Sequence, residues 1–265
     1  MSFLNDAIDL RVTFLGTGTS QGIPVIGCTC AVCKSTNHHD SRLRTSVMVQ
    51  CGDVSLLVDA GPDLRQQMLT AGLSEISAIL LTHEHNDHIS GLDDVRPVNF
   101  MQRRDIPVYS LPRVLDAVRR RYDYVFDDTY NYPGLPRLTL EELEPGPARI
   151  YGVPLHVISV MHGNLPVLGF RFGGFCYITD AKKIPKDQYV YLEDLDVLVL
   201  NALHHKEHFS HLNLNQALEA IESIDPKTAY LTHLSHDMGL HDDVESMLPP
   251  NVHLAYDGMT VQLRR

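Results

Sequence analysis

The 265-residue chain has no tryptophan and only 7% aromatic residues, so an extended stacking surface for single-stranded nucleic acid is not expected. Positive charge is scarce as well. Its 22 Lys and Arg face 33 Asp and Glu, for a formal net charge of −11. Long nucleic acids are held mainly by basic side chains on their phosphates, so nucleic acid is a disfavoured partner. A small phosphate ester stays compatible, because a bound metal outweighs a distant field. No apolar run approaches the roughly 18 residues of a membrane-spanning helix, and none is expected. The opening Met1-Ser2-Phe3-Leu4-Asn5-Asp6 lacks a basic start followed by an apolar stretch, so no secretory signal is expected and a cytoplasmic location is. The 5 cysteines are an odd number. In such a compartment they read as metal ligands or core residues, not as a disulfide framework.

What is present is an ordinary globular composition, 44% hydrophobic and 21% charged, with length enough for a sizeable core. Arg11-Val12-Thr13-Phe14-Leu15 reads as a strand that enters the turn-rich Gly16-Thr17-Gly18-Thr19-Ser20. Strands are expected over 46–50 and 54–58, with a tight hairpin at Gly52-Asp53. A helix is expected over 63–70, closing at Gly72. The apolar 76–81 reads as a buried strand. Further strands are expected at 155–160, 170–172, 176–178, 197–200, 229–231 and 261–263, and helices at 113–121 and 213–221. Without a clean βαβ repeat, this order points to two sheets with outer helices. The segment 123–147, rich in proline, tyrosine and acid, reads as a long surface excursion, with a lid or an oligomer contact as alternatives.

Directly after the expected buried strand stands His83-Glu84-His85-Asn86-Asp87-His88. It offers four ligands, His83, His85, Asp87 and His88, of types that suit zinc, manganese or iron. This motif resembles the His-x-His-x-Asp-His signature of metallo-β-lactamase-fold hydrolases. Asp59, in Leu57-Val58-Asp59-Ala60-Gly61, resembles the family's first-motif aspartate. His162, Asp180 and His233 resemble its later histidine ligand, bridging aspartate and final histidine, in that order. The resemblance runs from the first strand to about Asp237. It implies an α+β fold, a four-layer αββα sandwich, as a single hydrolase domain over 1–265. It also implies that His83, His85 and His162 hold one metal, that Asp87, His88 and His233 hold the other, and that Asp180 bridges them. Asp59 would fix a ligand imidazole by hydrogen bonding. Two metals about 3.5–4 Å apart can hold a hydroxide at neutral pH and stabilise an in-line displacement. β-Lactamases of the superfamily usually place a cysteine near the bridging position, and the diiron branch a glutamate where this chain has His85. Both branches are therefore disfavoured.

Cys28-Thr29-Cys30-Ala31-Val32-Cys33 packs three thiols into six residues, which suits a tetrahedral zinc short of one ligand; a redox role is the alternative. Together with Gly16-Thr17-Gly18-Thr19-Ser20, this knuckle is similar to that of PhnP-type phosphodiesterases, which hydrolyse cyclic phosphodiesters of ribose. The resemblance implies one structural zinc on Cys28, Cys30, Cys33 and His236. Cys51 and Cys176 read as small core residues. In Ser210-His211-Leu212-Asn213, His211 resembles a histidine kept near the leaving group, and is the expected general acid, with His208 as the alternative. Asp87 and His211 are thus the catalytic candidates.

The leading function is hydrolysis of a small, cyclic or open phosphodiester with two divalent metals, zinc or manganese with iron as a third choice. The resemblance also suggests a homodimer. Alternatives on the same ligands are a thioester or lactone hydrolase, a tRNA 3′-processing nuclease and a PqqB-like cofactor-biosynthesis protein. Arg96, Asn99, Arg103 and the 122–132 stretch are the expected substrate-pocket residues.

Overall fold

The computed structural model describes residues 9–127, 129 and 132–264. Along the chain, strands β1 (Leu10–Gly16), β2 (Ser46–Cys51) and β3 (Val54–Val58) come first, followed by helix α1 (Leu64–Ala71). Strand β4 (Ala78–Leu80) leads into the short α2 (Asn86–Ile89) and then α3 (Arg96–Gln102). Strand β5 (Ile106–Ser110), helices α4 (Pro112–Arg121) and α5 (Asp123–Phe126) and strand β6 (Leu138–Glu142) follow. Strands β7 (Gly146–Ile150), β8 (Val153–His162), β9 (Leu165–Phe172), β10 (Phe175–Ile178) and β11 (Val197–Asn201) come next. Helix α6 (Leu214–Ile224), β12 (Thr228–Thr232), α7 (His241–Glu245), β13 (Val252–Leu254) and β14 (Thr260–Leu263) complete the series.

The strands form two seven-stranded sheets, ordered β14-β1-β2-β3-β4-β5-β6 and β13-β12-β11-β10-β9-β8-β7. Each is antiparallel on one side and parallel on the other. The change falls at β3 in the first sheet and at β10 in the second. Parallel neighbours need crossovers, and α1 and α6 supply two of them.

Alternation along the strands divides the apolar residues into separate cores. Val47, Val49, Leu56 and Val58 of the first sheet meet Leu168, Phe170, Tyr177 and Val199 of the second in a shared interior. Met48, Leu57 and Ile79, on the opposite face of the first sheet, pack with Leu64 and Met68 of α1 and Val114 and Val118 of α4. Ile178, Leu198 and Leu200 do the same with Ala217 and Ile221 of α6. Helix, sheet, sheet and helix layers therefore stack around three cores, the expected αββα sandwich. No helix of the described residues is long and apolar enough to cross a membrane.

Most expected elements stand within a few residues of their positions. The reading of 123–147 as a surface excursion is corrected: it holds α5, the edge strand β6 and the start of β7. Leu138 of β6 and Leu143 are buried, so the segment closes one sheet and opens the other. Its dense polar content reflects edge strands with one wet face. Residues 128, 130 and 131 of that stretch lie outside the described residues.

Candidate metal centre

Five of the strands that point the same way end at one rim, and the sequence motifs sit on those ends. Asp59 follows β3, 82–88 follows β4, His162 closes β8, Asp180 follows β10 and His233 follows β12. Ligand sites in α/β sheets favour such carboxyl ends. Asp59, Asp180 and His233 all hold positive φ, at 63°, 59° and 57°. A side chain in that region costs free energy that surrounding structure must offset. Here the offset is visible. Ser46 Oγ donates to the carbonyls of Val58 and Asp59 at 3.0 and 2.8 Å. Asn201 clamps the turn after Asp180, accepting from Ala181 N at 2.6 Å and donating to Ala181 O at 2.9 Å. Leu234 N donates to Thr17 O at 3.0 Å, tying the His233 turn to the loop after β1. Gly61 admits the motif segment: a Cβ there would stand 2.1 Å from Asp87 O.

Asp59 is fully buried and sets the tautomers of two histidines. His88 Nδ1 donates to its Oδ2 at 2.7 Å, since an ionised carboxylate only accepts. Thr82 Oγ1 donates to the same carboxylate, at 2.9 Å to Oδ2. That hydroxyl is then left to accept from His83 Nδ1 at 2.9 Å. Both rings therefore turn Nε2 toward the rim. His162 reaches the same state by donating Nδ1–H to Ser210 O at 2.9 Å.

The freed atoms converge. His83, His85 and His162 form one group whose ligand atoms lie within 4.8 Å of one another; Asp87, His88 and His233 form a second, and His83, His88 and Asp180 a third. His83 Nε2 is 2.9 Å from His85 Nδ1. Asp180 spans two rings, with Oδ2 3.3 Å from His88 Nε2 and Oδ1 3.2 Å from His233 Nε2. Asp87 Oδ2 stands 3.2 Å from His88 Nε2 and 3.7 Å from His233 Nε2.

The electrostatics call for cations. Burial pushes Asp180 and Asp87 up, but for Asp180 the neighbouring His233 and His88, and for Asp87 chiefly His88, more than reverse this and hold both well below the usual carboxylate range. Burial pushes His88 down, and the carboxylates of Asp180, Asp59 and Asp87 override it, so His88 is raised. His83 is lowered by burial first and by His88 second. The buried Nε2 of His88 and both ring nitrogens of His233 have no hydrogen-bond partner among the described residues. Buried polar atoms are rarely left so. The Nε2 atoms of His88 and His233 face the carboxylates of Asp180 and Asp87, and imidazole nitrogens beside carboxylates are a donor set that a divalent cation satisfies.

His211 adjoins this cluster. Its ring stacks on His233 at 4.8 Å, lies 4.6 Å from His162, and places Nδ1 3.7 Å from Asp180 Oδ1. That Nδ1 is buried without a hydrogen-bond partner among the described residues. Burial and then His233 lower His211 to about 3, so its ring is neutral at pH 7. His208 lies 5.1 Å from His211, one ring further out.

A cavity of about 730 Å³ opens beside His85 and His162, lined by Gly163, Asn164, Leu165, Phe209 and Ser210. These are not the expected pocket residues. Asn99 is buried, donating to Arg104 O and Arg137 O at 3.0 and 2.9 Å. Arg103 ends α3 and lines a different groove, with Phe100 and Tyr132. Arg96 pairs with Asp93 at 2.5 Å. Of the expected 122–132 stretch, residues 128, 130 and 131 lie outside the described residues. Sequence reasoning missed Phe209, Asn201 and Ser46, because none carries a spacing signal.

The knuckle assembles as well. Cys28, Cys30, Cys33 and His236 bring their ligand atoms within 4.8 Å of one another. His236 Nδ1 is 3.3 Å from Cys28 Sγ and 3.4 Å from Cys30 Sγ. Backbone N–H groups of Cys33 and Val25 point at Cys30 Sγ and Cys33 Sγ, each at 3.4 Å. The Cys33 N–H, then His236, lowers Cys30 to about 6, whereas burial raises Cys33 to about 11. Cys176 is buried and Cys51 half-buried, as core residues should be.

A family model described as the β-lactamase superfamily domain matches residues 55–234, from β3 through His233. The chain belongs to that superfamily. The crystal structure of a new diphosphatase from the PhnP family superposes with a TM-score of 0.90 at 36% identity, covering 96% of this chain and 98% of the other. This metallo-β-lactamase-fold chain is therefore PhnP-like. Zinc-bound PqqB from Methylobacterium extorquens shares the fold, with a TM-score of 0.75 at 18% identity, covering 96% of this chain and 100% of that one. In sequence, the PhnP-like chain is 41% identical over 253 residues to an octanoyltransferase of Porphyromonas gingivalis, covering 94% of this chain and 51% of the relative. It spans about half the length of the curated relatives it matches.

Proposed function

We propose that this PhnP-like chain hydrolyses a small phosphodiester, cyclic or open, with two divalent metals at the rim. The observation that carries the reading is Asp180, whose two carboxylate oxygens face two unpartnered ring nitrogens, those of His88 and His233. One ion is assigned to His83, His85 and His162, the other to Asp87, His88 and His233, with Asp180 shared. When bound, such ions supply Lewis acidity toward phosphoryl oxygens and lower the pKa of water. Asp59 fixes His88 directly and His83 through Thr82, so that their Nε2 atoms are aimed at the rim. His211 is assigned to the departing oxygen: its neutral ring takes up a proton from solvent as the phosphate anion binds beside it and raises its proton affinity, and passes that proton to the leaving oxygen. The knuckle is assigned one structural zinc.

A second reading rests on the 36% identical diphosphatase: cleavage of a P–O–P bond in a small diphosphate ester. It needs the same ligands and differs only in the leaving group.

The test is metal content together with hydrolysis of bis(p-nitrophenyl) phosphate and of a dinucleoside diphosphate, for wild type and Asp87→Ala. The reading expects about three metals per chain, turnover of the diester, and at least a hundredfold loss in Asp87→Ala, on the scale of losing a charge-stabilising group. Turnover of the diphosphate alone selects the second reading. A fully metallated protein that cleaves neither discards both.

A further inference from the structure

The ligands assigned to the first ion come from different sheets. His83 and His85 follow β4, whereas His162 closes β8. Their rings face one another, with His162 lying 5.4 Å from His83 and 5.1 Å from His85 between centroids. The interior that joins the two sheets is apolar, and apolar packing has no preferred direction. A metal site, by contrast, asks for ligand distances within about 0.2 Å of their ideal values. Directional bonds across the rim are needed to hold that spacing.

Two such ties meet the segment that carries His83 and His85. One is backbone: Leu168 N of β9 donates to Thr82 O at 3.0 Å. The other is Arg113, the second residue of α4. Its Nη1 donates to Glu84 Oε2, between His83 and His85 in sequence, and its Nη2 donates to Pro166 O. Pro166 lies opposite Met161 in the β8–β9 register, beside the His162–Leu165 pair. A single guanidinium thus grips both ligand segments, one from each sheet. The helix that carries it is itself anchored, since Val114, Leu115 and Val118 share a core with Ile79 and Val108 of the first sheet. Arginine suits the place because its planar fork reaches two acceptors at once with little loss of freedom. Stability is a poor account of the contact. The two side chains are 32% and 26% exposed, and ion pairs that open to water contribute little to folding. Charge is no account of it either, because a cation near a metal site opposes metal binding. What the clasp supplies is a fixed distance between the two sheets at the rim.

We propose that Arg113 is a positioning residue: by holding Glu84 and Pro166 O together it sets the spacing of His83 and His85 against His162 for the ion assigned to them. This rests on the two-metal reading of the rim. The experiment is a zinc titration of metal-stripped protein in competition with a chromogenic chelator. It compares wild type, Arg113→Met, Arg113→Lys, His162→Ala, and Arg113→Met combined with His162→Ala. Wild type should bind about three zinc ions. Arg113→Met should weaken one of them roughly 10–100-fold, the usual loss when a group that orients a ligand is removed, and spare the others. That sign is opposite to the effect of charge alone, since removing a cation tightens metal binding. Arg113→Lys keeps the charge and loses the fork, so it should weaken the same ion. In the His162→Ala background Arg113→Met should change nothing further, because the ion it serves is already lost. The melting temperature of metal-free Arg113→Met should move by no more than about 4 °C. Unchanged or tighter zinc binding in Arg113→Met overturns the proposal. An equal loss at every ion, with a larger fall in melting temperature, marks a merely structural contact and overturns it too. A wild type that binds zinc at the knuckle alone makes the two-metal reading fail, and the proposal with it.

Discussion

Asp59 and His88, 29 residues apart in sequence, share a 2.7 Å hydrogen bond with both side chains buried. The pair joins the end of β3 to the helix that follows β4. Asp59 is held at φ 63° to make it, and its carboxyl also takes Thr82 N at 2.8 Å. Burial raises Asp59, and the facing His88 and Thr82 oppose that rise.

Asp59→Ala therefore frees two imidazoles at once, His88 and, through Thr82, His83. Loss of such a hydrogen-bonding partner typically lowers metal affinity by roughly 10–100-fold. Metal titration against a competing chelator should show that loss. Asp59→Asn should fall less, because its amide oxygen can still accept from His88. Unchanged affinity in both variants would mean that Asp59 does not orient the ligands.

In metal-stripped protein the knuckle thiols should react unequally. Cys30 is lowered to about 6 and Cys33 raised to about 11, and the thiolate is the nucleophile. At pH 7 iodoacetamide should label Cys30 ahead of Cys33. The sign follows from the lowered value: labelling of Cys30 is fast above about pH 6 and slows as pH falls through it. Burial raises Cys176 to about 12, so it should stay unlabelled while the fold persists. Peptide mass mapping reads all of these sites, and zinc added beforehand should protect Cys30. Equal labelling of Cys30 and Cys33 at pH 7 would contradict the assigned environments.

Arg42 is a buried cation, 3% exposed. Its Nη1 donates to Thr17 Oγ1 at 2.7 Å and to Ala255 O, and its Nη2 to His241 Nδ1 at 3.1 Å. Thr17 Oγ1 in turn donates to Asp257 at 2.7 Å. The donation from Arg42 Nη2 occupies the Nδ1 lone pair of His241 and leaves its ring proton on Nε2, which disfavours the nearby His39, His241 and Asp242 as a further metal site. Removing one member of a buried charged network costs about 3–5 kcal/mol. Arg42→Met, which keeps the stem, should lower the melting temperature by roughly 6–20 °C at 2–4 °C per kcal/mol. A shift below about 2 °C would show that the network contributes little.

Much of the centre was legible because ligands must be histidine, cysteine or carboxylate, and these types are conspicuous when dense. His83, His85, Asp87 and His88 announce themselves within six residues. Asp59, Asp180 and His233 were legible only through family resemblance, since a lone aspartate after a strand has many uses. Ser46 and Asn201, which hold the strained turns, carried no signal, because a serine or asparagine in a strand looks the same whether or not it clamps a neighbour. The edge strands β6 and β7 were missed for a related reason: only Leu138 of β6 and Ile150 of β7 are buried, too few apolar positions to separate them from a loop.

By itself the sequence determined the class of chemistry and the layering. Ligand types and apolar alternation are local properties of the chain, and the family motifs supplied their order. Only the tertiary structure decided which atoms face one another. Two sheets had to pack so that β3, β4, β8, β10 and β12 end at one rim, bringing Asp59 to His88, Asp180 between His88 and His233, and His236 to Cys28 across 208 residues. It also decided that Phe209 is left exposed at the cavity. Exposure depends on what the rest of the chain packs against, and no local pattern encodes it.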